Sequence, residues 1–238
     1  MSSIALAAGP VLAGFDIGAL GHNFWALSID GLTYGSIYAL VAVGYTLVYG
    51  VLRLINFAHS EIFMFGMFGQ YATLMMFGFA PQGDAYSMGV AQTLLYLGLA
   101  MIGGMVVSGA AAVGLERVAY RPLRRRGAPA LVFLITAIGA SFVLQEFVHF
   151  VLPKLTGNTL GGLNAQQPIR LVSPTDQFSV FGAGVSNVDL AIVVGALVLA
   201  FATDRFINGT KFGRGIRAVA QDPVTATLMG VSRERVIM

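Results

Sequence analysis

The 238-residue sequence contains no cysteine, which excludes disulfides, thiolate metal sites and cysteine nucleophiles together. Redox chemistry therefore assigns no compartment. Charge is scarce: 11% of residues are Asp, Glu, Lys or Arg, against 56% hydrophobic, where a soluble domain carries about 25% and about 45–50%. That balance describes a membrane protein. The net charge of +3 does not point to nucleic acid, because the basic residues sit between apolar segments rather than along one stripe. Histidine occurs three times, at His22, His59 and His149. The first residues, MSSIALAAGPVLAGFD, lack the basic start of a cleaved signal peptide, so a retained N-terminus is expected.

What is present is a series of apolar runs. Stretches of about 20 mostly apolar residues, the length that crosses a bilayer, fall near 26–50, 61–80, 91–114, 130–152 and 188–207, and a sixth begins at Val236. The sequence thus predicts an all-α fold, a polytopic transmembrane helix bundle with five complete spans and an incomplete sixth. Lysine and arginine assign direction. Residues 116–129 (ERVAYRPLRRRGAP) hold five arginines, 205–217 hold Arg205, Lys211, Arg214 and Arg217, and the turn 51–60 holds Arg53. These segments lie on alternate turns of the path and are expected to face the cytoplasm. The other set, 1–25, 81–90 and 153–187, carries only Lys154 and Arg170, which puts the N-terminus outside. One domain, 1–238, is expected, with an external N-terminal stretch 1–25, a cytoplasmic basic loop 116–129, an external loop 153–187 and a cytoplasmic loop 208–235. The external loop holds GNTLGG, QQPIRLVSP and GAGVSN. It reads either as a folded lip that docks a partner or as a solvated connector.

Glycine is abundant, 30 of 238 residues, and much of it falls inside the spans, including Gly66, Gly69, Gly103 and Gly104. Gly31 and Gly35 form a small-xxx-small pair that lets helix backbones approach in lipid. Span four, LVFLITAIGASFVLQEFVHFVL, carries Thr136 and a repeat of Ser141, Gln145 and His149 at i, i+4 and i+8. Such a polar stripe either lines a translocation path or supplies hydrogen bonds between helices. Ser141 and His149 do not make a nucleophile and its base: eight residues on one helix lie about 12 Å apart, and the pair needs about 2.6–3.2 Å. No catalytic residue is expected. The stretch NFAHSEIFMFG, 56–66, sets His59 and Glu61 two positions apart, where a helix points them about 200° apart and the helical zinc motif asks for two histidines at i and i+4. Neither a metal nor a cofactor is expected.

The richest local pattern is KFGRGIRAVAQDPVTATLMGVSRERVI, 211–237. Asp222 suits an N-cap, Pro223 the first helical position and Gly230 a C-terminal stop, which predicts a short helix over 223–229. Val224 and Leu228 give it a small apolar face. Gly213 to Gln221 can form a helix of its own with Arg214 and Arg217 on its surface. A helix as short as 223–229 is marginal alone. It gains stability by lying in a partner's groove or by packing on its own bundle.

The segment GRGIRAVAQDPVTATLMGVSRERVI resembles the cytoplasmic coupling loop of LivH-type permeases of bacterial branched-chain amino acid ABC importers. DGLTYGSIYALVAVGYTLVYGVLRLINFAHSEIFMFG, 30–66, and LVFLITAIGASFVLQ, 131–145, resemble the same family in the same order. The resemblance implies an ABC importer permease fold in the bacterial inner membrane and half of a translocation path for Leu, Ile or Val. It also implies a second homologous permease, two cytoplasmic ATPases that hydrolyse the ATP, a periplasmic or extracellular substrate-binding protein, surrounding lipid, and no nucleic acid. The family's coupling role is carried onto Asp222 to Gly230, with Ala218, Ala220 and Gly230 matching its small-residue pattern. Related permeases carry urea or short-chain amides with much the same motifs; an ATPase-independent transporter or channel is a further alternative. The family's Asn-Phe-Ala-His-Gly-Glu matches 56–61 except at Ser60. That turn then reads as the lead into span two, with Asn56 and Ser60 capping orphan amides and Glu61 facing the positive end of the helix dipole, or as a gating contact. Members of the family continue through further spans after the coupling loop, so a chain ending at Met238 is expected to be a fragment or a truncated reading frame.

Overall fold

A computed structural model of the chain describes residues 17–52, 56–80, 85–86, 88–156, 169–181, 183–232, 234 and 236. The expected external stretch up to residue 16, Arg53 and the GNTLGG segment lie outside these. α1 runs Ile17–Leu52, α2 His59–Met76 and α3 Val90–Leu115. α3 continues through a π-turn, Glu116–Tyr120, into α4, Arg121–Arg125. α5, Ala130–Glu146, passes through a second π-turn, Phe147–Val151, into α6, Leu152–Leu155. A hairpin of β1, Asp176–Val180, and β2, Ala183–Ser186, precedes α7, Asn187–Gly209, α8, Lys211–Gln221, and α9, Pro223–Leu228.

Among the described residues, four helical stretches are long and apolar enough to cross a membrane: Asn23–Val51, Val90–Arg125, Ala130–Lys154 and Asn187–Gly209. They coincide with four of the five expected spans. The remaining run, 61–80, is α2, but its helix stops at Met76. Gly78, at φ +87°, donates its N–H to the Met75 carbonyl while Phe79 donates to Leu74, a Schellman closure that a glycine permits and that ends the helix. Eighteen residues rise about 27 Å, and Gln70 and Thr73 interrupt the apolar surface.

Two further expectations are corrected. The basic segment 116–129 is not a loop: it is helical to Arg125, and only Arg126 to Pro129 turn, with Gly127 at φ +64° closing on Arg124. Pro122 falls where the π-turn passes into α4, a place where the regular helical hydrogen-bond register is already displaced. The fold is not wholly α either, since the antiparallel pair β1–β2 occupies part of the expected external loop. Its alternation, DQFSV and AGVS around Phe181, is too short to register as a strand pattern beside the long apolar runs.

The chain forms two compact units, one from the described residues up to Ala39 with Pro174–Val198, the other from Leu40–Ser173 with Leu199 onward. In the first, Trp25 stacks on Phe181 at the hairpin turn, ring centroids 4.4 Å apart. Ser186 and Asp189 start α7 as a reciprocal capping box: the Ser186 Oγ accepts the Asp189 N–H at 3.1 Å, and the Asp189 carboxylate accepts the Ser186 N–H at 3.2 Å.

In the second unit, α2 and α3 pack through glycines. A Cβ at Gly69 would lie 2.7 Å from Val107 Cβ, and one at Gly104 would lie 2.9 Å from the Gly66 carbonyl oxygen. A Cβ at Gly103 would collide with Thr73. Gly31 and Gly35, by contrast, meet nothing within 4 Å, so the small-xxx-small pair is not a contact among the described residues. A small core of Leu74, Phe79, Ala100 and Leu171, flanked by Tyr86 and Tyr96, closes one end of this unit. Elsewhere the helices expose their apolar side chains, and in an apolar 18-residue stretch of each candidate span only 6–11% of the residues are buried within the chain. Faces of that kind belong against lipid or other subunits.

Candidate functional site

The turn before α2 sends its polar groups to three different helical segments. Asn56 Oδ1 accepts the Ala58 N–H at 3.1 Å and the Tyr120 hydroxyl of the first π-turn at 2.6 Å. His59 lies edge-on to Tyr45 of α1, centroids 4.4 Å apart, and a Cβ at Gly44 would stand 3.4 Å from its Nε2; the glycine gives the imidazole room. Glu61 Oε1 accepts the Ser141 hydroxyl of α5 at 2.9 Å. His59 and Glu61 therefore serve separate helices. Among the described residues, no group of three or more His, Asp or Glu is placed to hold a metal ion. Tyr45, Thr46, Val48, Tyr49 and Asn56 line a cavity of about 220 Å³ beside the turn.

Capping in this turn differs from expectation in one respect. Asn56 does accept an amide, but Ser60 does not: its hydroxyl donates to the Phe57 carbonyl at 3.2 Å and to Glu61 at 3.3 Å. Ala58 is the N-cap and has no side chain to offer. Glu61 stands in the first turn of α2, where a carboxylate suits the helix dipole. His59 precedes the apolar run 61–80, and burial lowers its pKa from the usual 6.5.

The stripe on span four is shorter than the sequence implies. Ser141 is engaged with Glu61, Thr136 donates to its own Val132 carbonyl at 2.7 Å, and Gln145 is exposed. The π-turn Phe147–Val151 then widens the helix around His149, whose ring lies edge-on to that of Phe150.

The segment after α7 is held firmly. Thr210 Oγ1 accepts the Gly213 N–H at 2.9 Å and caps α8. A Cβ at Gly213 would collide with the backbone of Ile207. Arg217 donates to Asn208 Oδ1 at 2.7 Å, and Val219 is fully buried. Ala218 and Ala220 are half-buried. Asp222 Oδ1 accepts the N–H groups of Val224 and Thr225 at 2.9 and 3.3 Å, and Pro223 opens α9. Gly230, at φ +86°, donates to Thr227 while Val231 donates to Ala226, which completes a Schellman stop. Ala226 faces inward, whereas Val224, Leu228 and Met229 are 71%, 82% and 80% exposed.

Two contacts in this half of the molecule have no local signature. Tyr120 reaches Asn56 across 64 positions, and Glu116, buried, pairs with Arg124 through both guanidinium nitrogens. Glu116, Tyr120 and Arg124 follow one another at i, i+4 and i+8 along the continuous helix, which sets them on one side of it.

The family model described as the branched-chain amino acid transport system permease component matches residues 27–238. The chain belongs to this family. Among curated relatives of the permease family, the high-affinity branched-chain amino acid transport system permease proteins LivH of Salmonella typhimurium and Escherichia coli K12 are each 34% identical over 218 residues. The corresponding protein BraD of Pseudomonas aeruginosa is 32% identical over 220 residues, covering 91% of this chain and 65% of its own. The two LivH alignments cover 87% of this chain and 62% of each relative, so the chain spans less than two thirds of their length. No solved structure matches it. With four candidate membrane-crossing helices, the family member is a multi-pass helical membrane protein.

Proposed function

We propose that this chain is a membrane-spanning permease subunit of an ATP-driven importer for branched-chain amino acids. It forms half of the translocation path beside a second homologous permease, and two cytoplasmic ATPases and an external substrate-binding protein complete the assembly. The single observation that carries the coupling role is α9: a two-ended, capped helix that offers Val224, Leu228 and Met229 to solvent. The relatives, named as branched-chain amino acid permeases, supply the substrate class. In this reading, Ala218, Ala220 and Asp222 to Gly230 receive the ATPase, and Thr136, Ser141 and Gln145 lie along the path. The turn Asn56, His59 and Glu61 ties the helices together. Residues 116–129 and 208–235 face the cytoplasm; 1–25 and 153–187 face outside; the whole of 1–238 is one permease domain in the bacterial inner membrane. ATP is hydrolysed by the partners, not by this chain.

The test is uptake of labelled leucine, with labelled urea in parallel, by cells that express the intact protein with its ATPases, second permease and binding protein. Leucine uptake should exceed urea uptake and require the ATPases. Asp222→Ala, Leu228→Asp and Gly230→Ala should lower it at unchanged membrane insertion. Uptake that survives all three changes, or that persists without an ATPase, overturns the proposal.

A further inference from the structure

The first π-turn sorts its neighbours onto two faces. Glu116 and Tyr120 are each 7% exposed and Arg124 pairs with Glu116, so 116, 120 and 124 point inward. Arg117, Arg121 and Arg125, each one position further on, stand about 100° round the helix from that face and, with Pro122 and Arg126, line an open cavity of about 360 Å³. Glu116, the nearest carboxylate in sequence, is already used by Arg124. Arg121 has one exposed partner, Glu234 at 3.2 Å, and an exposed pair of that kind holds weakly. Arg117, Arg125 and Arg126 have no ion pair among the described residues. A cavity walled by guanidinium groups takes phosphate, whose oxygens match the planar fork of donors.

Depth selects the source of that phosphate. α3 contains 26 residues without a charge before Glu116, a rise of about 39 Å, against about 30 Å of hydrocarbon and about 40–45 Å with headgroups. Arg117 therefore stands where the helix leaves the apolar layer for the headgroups. Val118 beside it is 81% exposed and suits contact with acyl chain. We propose that Arg117, Arg121, Arg125 and Arg126 form a binding site for the phosphodiester headgroup of an anionic phospholipid in the adjacent leaflet.

The experiment is native mass spectrometry of the intact protein in detergent, titrated with short-chain phosphatidylglycerol, phosphatidylcholine or inorganic phosphate. Phosphatidylglycerol should bind in preference to phosphatidylcholine. Each arginine near an anionic lipid contributes about a fivefold gain, so Arg117→Gln with Arg125→Gln should weaken phosphatidylglycerol binding about twenty-fivefold. Arg214→Gln, exposed on α8, removes a charge outside the cavity and should leave that binding unchanged, which separates a site from net charge. Equal binding by the double variant overturns the proposal. Binding of inorganic phosphate with the same arginine dependence, and no selection for phosphatidylglycerol, overturns the lipid source. Loss of a co-purifying ATPase from the double variant at unchanged lipid binding assigns the face to a protein and overturns it as well.

Discussion

At the residue scale, His59 is held by packing rather than by a charge partner. Its ring meets Tyr45 edge-on above Gly44, and burial favours the neutral imidazole, lowering its pKa from 6.5. A pKa that is lower folded than unfolded means that the unfolded chain binds the proton first. The stabilisation is present above pH 6.5 and is lost as pH falls through the folded value. Thermal unfolding in detergent should therefore show a melting temperature that is level above that pH and declines below it, with a shallower decline in His59→Gln. Equal declines would place the acid sensitivity elsewhere. Ser141→Ala, which removes the bond to Glu61, should cost about 0.6 kcal/mol, the usual worth of a hydrogen bond between membrane helices. Asp222 and Gly230 were legible in the sequence because a cap acts on amides two to four residues away. The partner of Ser141 was not, since Glu61 lies 80 positions earlier and nothing local announces it.

At the scale of elements, the glycines divide into those that touch and those that do not. Gly104→Leu inserts a side chain where 2.7 Å separates an added Cβ from Gln70 Cγ, and overpacking of this sort costs about 1–3 kcal/mol. Gly31→Leu fills open space. A thermal-stability assay on the purified chain should show the first change strongly and the second hardly at all; equal losses would contradict the α2–α3 packing. Composition exposed the glycines but not their pairing, because a glycine needed for close approach and one facing lipid look alike in one dimension. The π-turns were invisible for a related reason. No residue type encodes a widened turn, and a long-range contact that meets the first of them, the Tyr120–Asn56 bond, spans 64 positions. α8 and α9 were legible nearly to the residue because proline, aspartate and glycine punctuate them locally.

At the scale of the whole molecule, length and hydropathy carried the architecture: four of the apolar runs are helices of membrane-crossing length. The hairpin escaped because nine strand residues leave little trace. The cysteine-free background makes single-cysteine labelling clean. Ala128→Cys and Thr156→Cys flank the candidate span Ala130–Lys154, and an impermeant thiol reagent should reach them from opposite faces of the membrane; access to both from one face would remove that crossing. One joint bears on how such a molecule moves. Gly213 lies against the backbone of Ile207 with no room for a side chain between them, and Thr210 locks the corner. α7's last turn and α8 thus form an elbow without slack. Under the proposed coupling role, a push delivered at α9 would not be absorbed in that corner but would emerge as torque on α7, so that the stiffness of one glycine contact would set how much of the stroke enters the membrane.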